Sequence, residues 1–347
     1  MDPTSTARGA GHDVTDVRRM SSYFVIALLV AMAASGCARP QASAFRLPPL
    51  AATWVRGPAA PQAPLCSWLG VVVDNAIPAR PQWGIAEADI VYEVPTEAMI
   101  TRFLALYCGD GPDTVGPVRS LRLQFLDIAG DYGATIAHSG SSASALAAID
   151  RRAGPVINEF WNARPFRRDP RRRMPHNVFV SVGLLRRYMM ETVPSTPRLW
   201  MTADLAPAAA PVTITIPYGR GYTSQFVFDP GSGRYRRFTD GGPSVDALTG
   251  HQVEAAAVVI LYARWWQVYE GPILTSRIAL TGEGRLTVFA AGRQAEGTWS
   301  HPDGSGRTVF TDADGKPVQL PPGRVWISIV PQERVVHATT EFGVTGK

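Results

Sequence analysis

Asp89, Glu93 and Glu97 recur every four residues, and Arg102 follows five residues after the last of them. Carboxylates crowded beside an arginine can do acid/base work, because like-charged neighbours raise the pKa of one member while the guanidinium keeps another ionised. On that reading Glu93 or Glu97 is the acid/base, with His138 or His176 as its partner. The alternative is structural. If Asp89–Pro95 and Ile100–Cys108 form a hairpin around Thr96–Met99, Glu93 and Arg102 fall opposite each other as a cross-strand ion pair worth about 0.2–1 kcal/mol.

A second constellation is Gly116-Pro117-Val118-Arg119-Ser120-Leu121-Arg122. A Gly-Pro turn here feeds a helix capped by Ser120, so free backbone N–H groups point outward beside two guanidiniums. Arginine forks match phosphate or carboxylate with paired hydrogen bonds. Arg102, Arg119 and Arg122 are therefore read as an anion-binding group, with Asp74, Asn75, His138 and Asn177 fixing the ligand's orientation. The competing reading has Arg119 pinning the turn, since arginines at a helix start oppose its dipole and need an offsetting partner. His138 leads into Ser139-Gly140-Ser141-Ser142, a strand-loop-helix context that suits a phosphate loop. Gly140-x-Ser142-x-Ser144 lacks the last glycine of a nucleophile elbow, which argues against serine catalysis. The two histidines lack metal-ligand spacing, so neither a metal nor a cofactor is expected. Arg164, Arg167, Arg168, Arg171, Arg172 and Arg173 read as a solvated loop able to touch anionic lipid headgroups.

The elements that must hold these residues follow from hydrophobic period. Leu69–Val73, Asp89–Val94, Ile100–Cys108 and Ala134–His138 read as strands. Ser120–Asp131, Ser142–Asp150 and Gly183–Glu191 read as helices. After the Pro/Ala stretch that ends at Pro211, short strands separated by Gly and Asp turns dominate. The expectation is an α/β or α+β N-terminal domain with a mixed sheet over 64–200 and a smaller, mostly-β C-terminal domain over 210–335, with a tail at 336–347. Trp265, Trp266, Trp299 and Trp326 are core or edge aromatics, or else a carbohydrate-stacking platform.

Arg18-Arg19, an apolar run from Tyr23 to Ala34 and then Ala34-Ser35-Gly36-Cys37 make a lipoprotein signal peptide over 1–36. The run is shorter than the roughly 20 residues that span a bilayer. Cys37 is then the lipidated residue, carrying acyl chains such as palmitate, and 37–63 is an Ala/Pro-rich tether. The location expected is extracytoplasmic, on the cell membrane. The net charge of +5 comes almost wholly from arginine, Lys316 and Lys347 being the lysines. It fits anionic lipids, wall polymers or an envelope protein as partners. Export argues against nucleic acid. With Cys37 lipidated, Cys66 and Cys108 remain to pair as a disulfide in an oxidising compartment.

Several motifs in fixed order carry a family resemblance. They are Asp74-Asn75, Arg80-Pro81-Gln82, Gly84, Ala88-Asp89, Tyr92-Glu93, Thr101-Arg102, the Gly116–Arg122 run, His138 and Pro175-His176-Asn177. With the lipobox, this order resembles the YerB-like lipoprotein family, bacterial proteins built on a domain of unknown function (3048). A looser match continues through Arg236-Arg237-Phe238, Gly297-Thr298-Trp299 and Pro322-Gly323-Arg324-Val325-Trp326. The chain has Glu97-Ala98-Met99 where the family has Glu-Gly-Gly, and Ser139-Gly140-Ser141 where it favours Gly-Gly-Ser. The resemblance implies a two-part extracytoplasmic protein and brings no reaction with it. Three functions stay open: a binding or accessory module for an anionic ligand or wall fragment, a cell-wall hydrolase or transferase, and a structural assembly subunit.

Overall fold

Val71, Val72 and Val73 are all fully buried, yet they serve two different cores. Successive strand residues point to opposite faces, so an unbroken apolar run marks a sheet covered on both sides. The computed structural model describes residues 66–149, 155–189, 200–203, 205, 212–219, 221–301 and 307–339. The leader at 1–36, Cys37 and the tether at 37–63 lie outside the described residues. The chain divides into Met1–Gly57 and the compact unit Pro58–Lys347. Both cores lie inside the second unit, which therefore carries its own interior and folds by itself.

In chain order the main elements are β1 (Leu69–Asp74), β2 (Ile90–Pro95), β3 (Thr101–Tyr107), α1 (Leu123–Tyr132), β4 (Thr135–His138), α2 (Ala143–Ala148), β5 (Val156–Asn158), β6 (Phe166–Arg168), β7 (Val178–Ser181) and α3 (Val182–Tyr188). Then come β8 (Thr213–Gly219), β9 (Tyr222–Asp229), β10 (Arg234–Thr239), β11 (Ala257–Ala263), β12 (Trp265–Glu270), β13 (Ile273–Ile278), β14 (Gly282–Ala290), β15 (Arg293–His301), β16 (Val309–Asp312), β17 (Val325–Pro331) and β18 (His337–Thr339). A 10-stranded mixed sheet runs β16-β15-β14-β11-β17-β2-β3-β1-β4-β5. Its centre is the parallel pair β2–β17, so strands from both halves of the sequence share one hydrogen-bonded layer. On one face lie Phe125, Leu126 and Tyr132 of α1. The other face is covered by a second sheet that includes β8, β9 and β10, through Ile214, Tyr218 and Phe226.

The chain is mostly β. The sheet is mixed, but the N-terminal part is not clearly α/β, because the antiparallel β2–β3 hairpin stands where a crossover helix would. The C-terminal part is β-rich, and the segment read as a tail opens with β18, which pairs with β8. Ser120 does not cap a helix. α1 begins at Leu123 after Arg122, whose side chain makes no cap bond and is engaged elsewhere. Ser142 does cap α2, accepting from the Ala145 N–H at 3.3 Å. A disulfide joins Cys66 to Cys108, with Cα atoms 5.1 Å apart. It closes beyond the Leu69↔Tyr107 pair, the last rung between β1 and β3.

Candidate functional site

β1, β4 and β5 lie side by side and parallel, so their carboxyl ends share one edge of the sheet. In open sheets of this kind, ligands bind in the crevice beyond those ends. Asp74 ends β1, His138 ends β4 and Asn158 ends β5. β3 runs the other way and brings Thr101 and Arg102 to the same edge.

Register decides which face each side chain serves. Asp74 pairs with Arg102, while Glu93 pairs with Phe103 and Val94 with Arg102. Arg102 is therefore not opposite Glu93, and the cross-strand ion pair read from the sequence does not form. The turn is one residue longer than that reading allowed, closed by the Thr96 N–H on the Ile100 carbonyl at 2.8 Å. A slip of one residue moves a side chain to the other face.

Glu93 is 0% exposed between the two sheets. It accepts hydrogen bonds from Thr101 Oγ1 (3.0 Å), Ser224 Oγ (3.0 Å), Trp326 Nε1 (3.1 Å), the Arg237 guanidinium (3.4 Å) and the Tyr222 hydroxyl. Arg237 also donates to Thr239 Oγ1 (2.6 Å) and Ser244 Oγ (2.7 Å), and it lies 4.5 Å from the Trp326 ring centre. Asn75 belongs to this network, donating to Thr101 Oγ1 at 2.7 Å and Tyr222 at 2.6 Å. Neither Glu93 nor Asn75 reaches solvent, so this network fastens the two sheets together and Glu93 is not placed for acid/base work.

Glu97 is the second hub. Arg122 clamps it with Nε at 2.7 Å and Nη2 at 2.9 Å, Arg102 Nη2 lies at 3.3 Å, and Thr275 of β13 donates at 2.9 Å. Burial alone would raise the Glu97 pKa, but the hydrogen bond and charge of Arg122, then the charge of Arg102, outweigh it and hold the carboxyl at about 2. A group that ionised cannot serve as a proton donor near neutral pH. Burial and then the Arg122 charge push Arg102 down to about 9, against the pull of Glu97. Two of the three arginines read as anion ligands thus share an internal carboxylate. The turn that carries Glu97 places Ala98 and Met99 at φ 55° and 60°. That is left-handed backbone, which costs a residue with a Cβ about 1–2 kcal/mol. The family's Glu-Gly-Gly is the natural solution at these positions.

Arg119 differs. Its Nε lies 3.1 Å from Asp74 Oδ2, its side chain is 27% exposed, and among the described residues its terminal amino groups make no hydrogen bond. Asp74 Oδ2 also takes His176 Nδ1 at 2.7 Å, while Oδ1 accepts from the Ala76 N–H at 3.0 Å. A buried carboxylate so placed orients both the imidazole and the guanidinium, leaving their far ends at the rim. His176 retains 17% side-chain exposure. The Phe160 ring passes beside Gly140 and Ser120 on the same rim: a Cβ built at Gly140 would lie 3.5 Å from Phe160 and 3.2 Å from Ser120 Oγ.

His138 does not reach the rim. It is fully buried, with Nδ1 2.7 Å from the Gly140 carbonyl and Nε2 without a partner. Burial pushes its pKa down from 6.5 to about 4, against the Gly140 carbonyl. The imidazole is therefore neutral in the fold, and an unfolded chain binds a proton first as pH falls. Stability should drop by about 3 kcal/mol between the unfolded and folded pKa values of His138. Urea titrations across pH 4 to 6.5 check this. The same slope surviving in His138→Phe would contradict it. Asn177 is also buried and accepts from Arg168 Nη1 at 3.2 Å, so it braces the loop and does not face a ligand.

The sequence reading had Asp74 and His176 but not their pairing, since 102 residues separate them. It missed Glu159, which receives Ser139 Oγ and the Arg168 guanidinium at 2.7 Å. Trp299 and Trp326 are core residues. Trp299 also borders a cleft of about 540 Å³ with Tyr262, Arg264, Glu283 and Arg285, at the carboxyl ends of β11 and β17.

Residues 57–195 match the model "Protein of unknown function (DUF3048) N-terminal domain", and residues 214–327 match its C-terminal domain. The Bacillus subtilis (strain 168) protein "Putative lipoprotein YerB" is 30% identical over 273 residues, 76% of this chain and 81% of that protein. The crystal structure of the YerB protein from Bacillus subtilis superposes with a TM-score of 0.69 at 27% identity, covering 79% of this chain and 94% of that one.

Proposed function

This chain belongs to the DUF3048 family, and from that premise we propose that it is a lipid-anchored envelope protein that holds an anionic group of an envelope component at Arg119. The similarity to a lipoprotein supports the anchor, with Cys37 as its lipidated residue and the tether at 37–63. One observation carries the ligand reading. Arg119 has its Nε 3.1 Å from a buried aspartate and 27% of its side chain exposed, its terminal amino groups make no hydrogen bond among the described residues, and His176 is held by the same carboxylate. A guanidinium fixed at one end and open at the other is pre-organised for phosphate or carboxylate. Arg102 and Arg122 act behind it: locked on Glu97, they leave the edge with three guanidiniums against two carboxylates.

The alternative of a cell-wall hydrolase or transferase has less support, because Glu93 and Glu97 are both committed to arginines. Its remaining support is the Asp74–His176 pair, a carboxylate-oriented imidazole. Purified peptidoglycan incubated with Pro58–Lys347 separates the readings. Co-sedimentation without released fragments, lost in Arg119→Ala, is the expected result. Soluble fragments would favour the enzyme, and neither sedimentation nor fragments would favour the assembly subunit.

A further inference from the structure

Phe160, Trp161 and Met174 are 68%, 59% and 71% exposed. Such side chains at the surface are unremarkable singly, but these three fall within residues 160–174, on either side of β6, among a concentration of positive charge. Arg164, Arg167, Arg168, Arg171 and Arg173 are exposed between them. The acidic residues from 159 to 176 are Glu159 and Asp169, and each is taken by an arginine of the same segment, Arg168 at 2.7 Å and Arg171 at 2.8 Å. The side chains of Arg164 and Arg173 make no hydrogen bond or ion pair among the described residues.

The segment is anchored. Trp161 N–H donates to the Asn158 carbonyl at 3.0 Å, and Arg168 bridges Glu159 and Asn177. Arg172 donates to the Ala79 carbonyl at 2.9 Å and the Pro81 carbonyl at 2.8 Å. His176 is pinned to Asp74. The fold therefore holds apolar tips outward, flanked by Arg164 and Arg173, which no carboxylate among the described residues offsets. Aromatic rings that sit at headgroup level and arginines that meet an anionic leaflet are the two halves of an interfacial surface. A purely polyanionic partner would account for the arginines but not for the exposed Phe, Trp and Met.

We propose that residues 160–174 dock this protein onto an anionic phospholipid bilayer, as a contact separate from any acyl chain. Docking brings the Arg119 rim to headgroup phosphates, since Phe160 borders that rim and Met174 stands two residues before His176. The surface does not depend on what Arg119 binds.

The test uses the unit Pro58–Lys347, which lacks Cys37 and carries no acyl chain. It should sediment with vesicles of phosphatidylglycerol mixed with phosphatidylcholine, and at least tenfold less with phosphatidylcholine alone. Arg164→Gln with Arg173→Gln should lower the partition about 25-fold, as two arginines at an anionic surface imply. Phe160→Ser with Trp161→Ser should lower it at least about tenfold. Both pairs are exposed, so their melting temperatures should stay at the parent value. No sedimentation, or equal sedimentation on both vesicle types, would overturn the proposal. So would an arginine effect without an aromatic one, which would indicate a soluble polyanion as the partner. Arg119→Ala should lose inorganic phosphate and keep the vesicles, so the two claims fail separately.

Discussion

Glu93→Gln is expected to cost about 3–5 kcal/mol of folding stability, the scale for breaking a buried ion pair from one side. The variant keeps the shape of the side chain but strands Arg237, which is 2% exposed. Its new amide hydrogens would also face donors in place of one carboxylate oxygen, Tyr222 and Thr101 at Oε1 or Ser224 and Trp326 at Oε2. Because Glu93 is on β2 while Tyr222 and Ser224 are on β9 and Arg237 is on β10, much of the loss falls on the contact between the two sheets. Urea denaturation followed by tryptophan fluorescence measures it. Glu93→Gln combined with Arg237→Met should recover part of the loss, since removing both charges relieves the uncompensated one. An unchanged midpoint for the single variant would mean that Glu93 has some role other than fastening the sheets.

Opening the disulfide is expected to cost nearly as much. Cys66 and Cys108 are 42 residues apart in sequence, and closing a loop of that length restrains the unfolded chain by about 4 kcal/mol. The bridge ties Cys66, three residues before β1, to Cys108, the residue after β3, at the end of β1 opposite Asp74. Cys66→Ser with Cys108→Ser should lower the unfolding free energy by that amount and bring the urea midpoint down with it, as should reductant added to the parent. A midpoint indifferent to both would show that the bridge does not restrain the unfolded chain.

Elements with a strong local signature were legible in the sequence. Val71 to Val73, Ile100 to Cys108 and the Ser142-capped helix need only period and capping chemistry to be read. The pairings were not. Glu93 meets Arg237 across 144 residues, and Asp74 meets His176 across 102, with no local pattern linking either pair. Even the short-range error had a physical cause. The β2–β3 turn takes one more residue than a minimal reading gives, through left-handed backbone at Ala98 and Met99, and that single step sends Arg102 and Glu93 to opposite faces. The departure from the family's two glycines was visible, but non-glycine residues concealed the turn they build. Asp74 and Asn75 likewise part company where β1 ends, Asp74 bonding His176 while Asn75 bonds Thr101 and Tyr222. Arg102 and Arg122 meet on Glu97, and Arg119 pairs with Asp74. The sequence could not tell which of them Glu97 would claim.

The claim that Arg119 holds an anion is tested most directly by calorimetric titration of inorganic phosphate, and separately acetate, into Pro58–Lys347. Saturable binding of at least one of these anions is predicted, weakened about 10- to 100-fold in Arg119→Ala, the loss expected for hydrogen bonds to a charged group. The melting temperature should not move with that substitution. Absence of saturable heat for both anions, or equal affinity in the parent and Arg119→Ala, would contradict the account.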